Sequence, residues 1–104
     1  MRTVTLILSL LLLLPPGVTA AEPVRVAVAA NFRSTLAPIS ARFERETGYR
    51  VLLSSASTGV LYSQILHGAP FDLFFAADRE TPARLVAQGR GKSYCYATGM
   101  LVLV

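Results

Sequence analysis

Apolar runs too short to be helices alternate in this chain with stretches of helical period, and few folds accept that alternation. Residues 24–30 (VRVAVAA), 49–55 (YRVLLSS) and 71–77 (FDLFFAA) read as strands, rich in branched and aromatic side chains. Residues 32–46 put Leu36, Ile39 and Phe43 on one helical stripe, with Arg42, Glu44, Arg45 and Glu46 on the solvent face. Residues 58–67 give a second helix with Leu61, Ile65 and Leu66 on its apolar face, and residues 80–88 a third. The punctuation agrees with these bounds. Gly48 is placed to cap the first helix and His67-Gly68-Ala69-Pro70 to stop the second. Asp78 is placed as N-cap of the third, and Pro82 falls in that helix's first turn. Pro38 is the discordant residue, tolerable in a first turn and a kink beyond it. The third strand is apolar enough to be covered on both faces, as parallel strands are. After a turn at residues 89–92, residues 94–97 and 100–104 are strand-like again. A β-α-β-α-β-α-β order predicts an α/β fold with a parallel sheet and right-handed crossovers.

The first twenty residues stand apart from that pattern. Arg2 supplies a positive start, residues 6–14 are almost unbroken apolar, and Pro15, Pro16 and Gly17 break the run. Val18-Thr19-Ala20 offers small residues for cleavage, so residues 1–20 read as a secretory signal peptide. The apolar run is shorter than the ~20 residues a membrane span needs. The expected domains are therefore a leader, residues 1–20, and one incomplete α/β lobe, residues 21–104, since an apolar strand running into the C-terminus is an unusual end for a domain. Export predicts a periplasmic location. The net charge of +4 falls to +3 when Arg2 leaves with the leader, and the remaining cations are scattered without interleaved aromatics. Nucleic-acid binding is therefore not expected. Cys95 is the only cysteine, which excludes an internal disulfide; between Tyr94 and Tyr96 it reads as a small buried hydrophobe.

Two strand-to-helix junctions carry uncharged donors. Ala29-Ala30-Asn31 follows the first strand and Ser57-Thr58-Gly59 the second. A helix start presents free N–H groups and a partial positive charge, so two of them side by side suit a small oxyanion without Lys or Arg. The candidate ligand residues are Asn31, Thr58, Ser57 and Ala30. Each side chain can equally be a plain helix cap. Ligands of parallel sheets bind at the carboxyl ends of strands, where both junctions lie. Other chemistry finds little support. Asp72 has no second carboxylate at a useful spacing and reads as structural. The Ser-Thr-Gly run matches neither a P-loop nor a nucleophile elbow, and His67 lies at the far end of its helix from Ser57. No catalytic residues, resident cofactor or zinc site are expected.

The run VAVAANF…ISARFERETGYRVLLSSASTGVLYSQILHGAPFDLFFAAD resembles the N-terminal part of the periplasmic molybdate-binding proteins of ABC transporters. Further likeness lies in Pro82, Leu85 and Gly89 and in residues 96–103 (YATGMLVL). The resemblance implies a type II periplasmic binding protein fold, in which two α/β lobes close on a tetrahedral oxyanion. It implies that Asn31 and Thr58 touch molybdate or tungstate, with Ser57 and backbone N–H groups beside them, and that molybdenum is present only within the bound anion. Many members carry Ser where this chain has Asn31, and Asn keeps a donor there. The family chain continues into a second lobe with further contacts, including a Tyr that neither Tyr94 nor Tyr96 matches. The implied partners are the oxyanion and a membrane permease, for a monomeric receptor; one lobe alone is expected to bind weakly or not at all. Alternatives are a receptor for sulfate or phosphate, a non-functional remnant and, less favoured, a small exported hydrolase.

Overall fold

The computed structural model describes residues 21–98. The expected signal peptide and the strand-like segment at 100–104 lie outside them. The described chain runs β1 (Val24–Ala29), a 3-10 turn (Ala30–Phe32), α1 (Arg33–Thr47), β2 (Val51–Ala56), α2 (Thr58–Leu66), β3 (Leu73–Phe75) and α3 (Glu80–Ala87). The strands form one parallel sheet in the order β2-β1-β3. The expected α/β class and parallel sheet are therefore present.

Strand order follows from the two crossovers. The connection through α1 steps from β1 to β2, and the one through α2 steps back across β1 to β3. Right-handed connections in opposite directions put α1 and α2 on opposite faces, so β1 is covered from both sides. Val26, Ala27, Val28 and Ala29 are accordingly buried. Val26, Val28 and Leu36 form the core beneath α1, with Val24, Phe32, Val51, Leu53 and Phe75 packed around them. Ala27 and Ala29 alternate to the other face, and α2 packs against β1 with Leu61 buried.

Local signals explain several bounds. Gly48 adopts φ 77° at the end of α1 and donates its N–H to the Glu44 carbonyl at 2.9 Å. The Glu44 carboxylate accepts the Val51 N–H at 3.0 Å, tying the helix to the start of β2. Asp72 accepts the Arg25 N–H through Oδ2 at 2.8 Å and returns its own N–H to the Arg25 carbonyl at 2.8 Å. That pair extends the β1–β3 ladder beyond the Val26–Leu73 register, which accords with the structural reading of Asp72.

Other expectations are corrected. The first helix does not begin at Phe32; a 3-10 turn precedes it, and α1 runs unbroken through Pro38. Pro38 deprives only the Ser34 carbonyl of its helical donor, and both residues are exposed to water. Of the stripe on α1 only Leu36 is buried, with Ile39 56 % and Phe43 41 % exposed. On α2, Leu66 is likewise exposed. The third strand shrinks to Leu73–Phe75, at an edge of the described sheet, and Leu73 is 51 % exposed. Residues 94–97 form no strand, and Cys95 is exposed, its Sγ 3.8 Å from the Ala97 carbonyl and from Thr98 Oγ1. Among the described residues no strand pairs with that segment to cover the thiol.

Candidate functional site

All three strands end on the same edge of the sheet, and the register places their junctions together. Ala29 pairs with Ala56, so Ala30 and Asn31 leave β1 beside Ser57 and Thr58 leaving β2, about 5 Å away by strand spacing. Ser57 is the N-cap of α2, and its Oγ accepts the Val60 N–H at 3.4 Å. The Thr58 and Gly59 N–H groups open the helix and have no acceptor within it.

Asn31 behaves differently from a cap. It lies inside the 3-10 turn, whose N-cap is Ala29, and Phe32 precedes α1 without a side-chain cap bond. Among the described residues no hydrogen bond engages the Asn31 side chain, and it is exposed to solvent. Its amide is thus available to a ligand, and Ser57 Oγ, which accepts from Val60, keeps its one proton to donate.

Thr58 makes the contact that joins the edge together. Its Oγ1 accepts the Ala77 N–H at 3.0 Å. Ala77 follows β3, on the opposite side of β1 from β2, so the bond passes across the carboxyl end of the central strand. A hydroxyl that accepts from a peptide N–H keeps its one proton to donate. This third junction was not legible from residue type, because every residue but proline carries a backbone N–H.

An open groove of about 1140 Å³ runs along the β1 and β3 ends. Asn31, Phe32, Ala76 and Ala77 line it, together with Arg79, Arg90, Lys92 and the segment 93–98. Ser57, Thr58 and Ala30 lie outside its lining. Both carboxylates in it are engaged: Asp72 by the Arg25 N–H, and Asp78 by the Thr81 N–H at 2.8 Å and hydroxyl at 3.0 Å. Asp78 therefore caps α3 as expected, from one residue before the formal N-cap Arg79. Across the groove Tyr96 packs against Phe32 and Phe75, at centroid distances of 4.9 and 5.2 Å, and donates its hydroxyl to the Ala76 carbonyl at 3.0 Å. Burial, and secondarily the Cys95 thiol, raise the Tyr96 pKa above its ordinary 10.0. Among the described residues no group of three His, Cys, Asp or Glu side chains could hold a metal ion.

Strand-to-helix junctions at the carboxyl edge of a parallel sheet, here one 3-10 turn and one α-helix start, are shared by many ligand-binding proteins. Residues 24–104 match the family model described as bacterial extracellular solute-binding protein. The chain belongs to that family. It is 48 % identical over 86 residues to the molybdate-binding protein ModA of Azotobacter vinelandii, an alignment covering 80 % of this chain and 34 % of the relative. It is 41 % identical over 87 residues to ModA of Rhodobacter capsulatus, covering 81 % and 34 %. The solved periplasmic molybdate-binding protein of A. vinelandii superposes with a TM-score of 0.62 at 43 % identity, over 65 % of this chain and 29 % of that one. The chain thus spans about a third of the length of these solute-binding relatives.

Proposed function

We propose that this lobe forms one side of a molybdate or tungstate site in the solute-binding component of an ABC transporter. The observation that carries the reading is the convergence of three strand ends on uncharged donors, drawn together by the Ala77–Thr58 bond. Asn31, the Thr58 hydroxyl and the N–H groups around Ala30 and Ser57 lie on one edge of the sheet and offer uncharged donors there. Such donors stabilise a dianion and leave size as the basis for discrimination between molybdate and sulfate. The names of the relatives support molybdate as the ligand and a periplasmic binding protein. The same proposal has the receptor act as a monomer, not as an enzyme, and hand its cargo to a membrane permease. The leader at residues 1–20 fits export.

Asn31 and Ser57 are exposed, so an anion resting here keeps water on its outer side. The lobe by itself therefore binds weakly, each bond competing with hydration. Calorimetric titration of molybdate, with sulfate as competitor, tests the reading. Molybdate is expected to bind in preference to sulfate, and Thr58→Ala to weaken it by about 1.5–3 kcal/mol, the worth of a charge-assisted hydrogen bond. Equal affinity for sulfate, or a Thr58→Ala variant that binds as the parent does, rejects it.

A further inference from the structure

The Ala76 carbonyl and the Ala77 N–H belong to one peptide group, and each end of it is held by a different side chain. Tyr96 Oη donates to the Ala76 carbonyl at 3.0 Å, and the Ala77 N–H donates to Thr58 Oγ1 at 3.0 Å. The donors all point the same way: from Tyr96 to the peptide, from the peptide to Thr58, and from Thr58 outward through its remaining proton. We propose that Tyr96 is a positioning residue for the oxyanion site, acting through the Ala76–Ala77 peptide to orient the Thr58 hydroxyl as a donor and to strengthen it. The inference rests on the oxyanion reading given above.

Two physical effects support the chain of bonds. Hydrogen bonds in series polarise one another, so a proton given to the Ala76 oxygen makes the Ala77 N–H a stronger donor and the Thr58 O–H stronger in turn. The bond also turns the hydroxyl proton away from Ala77, because an oxygen that accepts from that N–H has no acceptor there for its own proton. The tyrosine itself is fixed by packing. Its ring sits against Phe32 and Phe75, which stack at 6.0 Å, so both the residue after Asn31 and the last residue of β3 brace it. The segment carrying Tyr96 has no regular structure of its own, and this ring and hydroxyl fasten it to the carboxyl edge.

Tyr96→Phe tests the proposal, since it keeps the ring and removes only the donor. In 15N-labelled protein of native length, without ligand, the Ala77 amide proton is expected to move upfield in the variant, the mark of a weaker bond to Thr58. Molybdate affinity is expected to fall about two- to fivefold. In a Thr58→Ala background the same change should have no further effect on affinity, which separates a relay through Thr58 from a general loosening of the loop. An unmoved Ala77 amide, unchanged affinity, or an equal loss in both backgrounds overturns the relay. Failure of the unsubstituted protein to bind molybdate overturns the oxyanion reading and this role together, and the Ala77 shift then distinguishes that outcome from a bond that never forms.

Discussion

At the residue scale, the side chains of this edge divide by what they have already spent. Ser57 Oγ takes the Val60 N–H, Asp78 takes two donors from Thr81, and Asp72 completes a ladder with Arg25. Asn31 and the Ser57 and Thr58 hydroxyls retain protons to donate. Sequence alone leaves each of these residues poised between cap and ligand, because Ser, Thr, Asn and Asp serve both purposes. Tyr96 carries a prediction of its own. Burial raises its pKa, so the folded protein holds the phenol proton more tightly than the unfolded chain. Its contribution to stability is complete below about pH 10 and is lost as the pH rises through the folded value. Urea unfolding midpoints should accordingly fall more steeply above pH 10 in the parent than in Tyr96→Phe; parallel curves would remove the argument.

At the scale of elements, punctuation proved more legible than burial. The ends of α1 and α2 follow from Gly48 and from the Gly68-Ala69-Pro70 stop, each a backbone requirement tied to residue type. Gly48 sits at φ 77° with nothing within 4 Å of where a Cβ would stand, so only the backbone conformation opposes substitution. Gly48→Ala should destabilise the protein by about 1–2 kcal/mol, and Gly48→Asn by less, because Asn tolerates the left-handed region. Thermal or urea denaturation checks the order; an Ala variant as stable as the parent would show that the cap carries no weight. Burial was harder to read because periodicity reports which face is apolar and not what covers it. Ile39, Phe43 and Leu66 obey the helical period and are exposed. Leu73 sits in an apolar run that resembles a central strand, yet β3 is an edge of the described sheet. The strand-like pattern at residues 94–97 marks Tyr96 as a ring that packs, and the partner is a pair of phenylalanines instead of a ladder.

At the scale of the molecule, topology does what no single motif can. The order β2-β1-β3 puts the chain's reversal of direction at β1, so the ends of all three strands face one region. The alternation of strands and helices made the parallel sheet legible, and the Asn31 and Ser57-Thr58 junctions lie together at its carboxyl edge. The contribution of Ala77 was hidden, since it is a backbone donor whose position depends on β3 lying across β1 from β2. The oxyanion proposal has a molybdate-sized dianion held at this edge through neutral donors. Its most direct test is a molybdate titration of 15N-labelled protein of native length, followed amide by amide. Saturable shifts are expected, concentrated at Ala30, Asn31, Ser57, Thr58, Gly59 and Ala77. Shifts centred instead on Arg79, Arg90 and Lys92, or none at saturating molybdate, would contradict it.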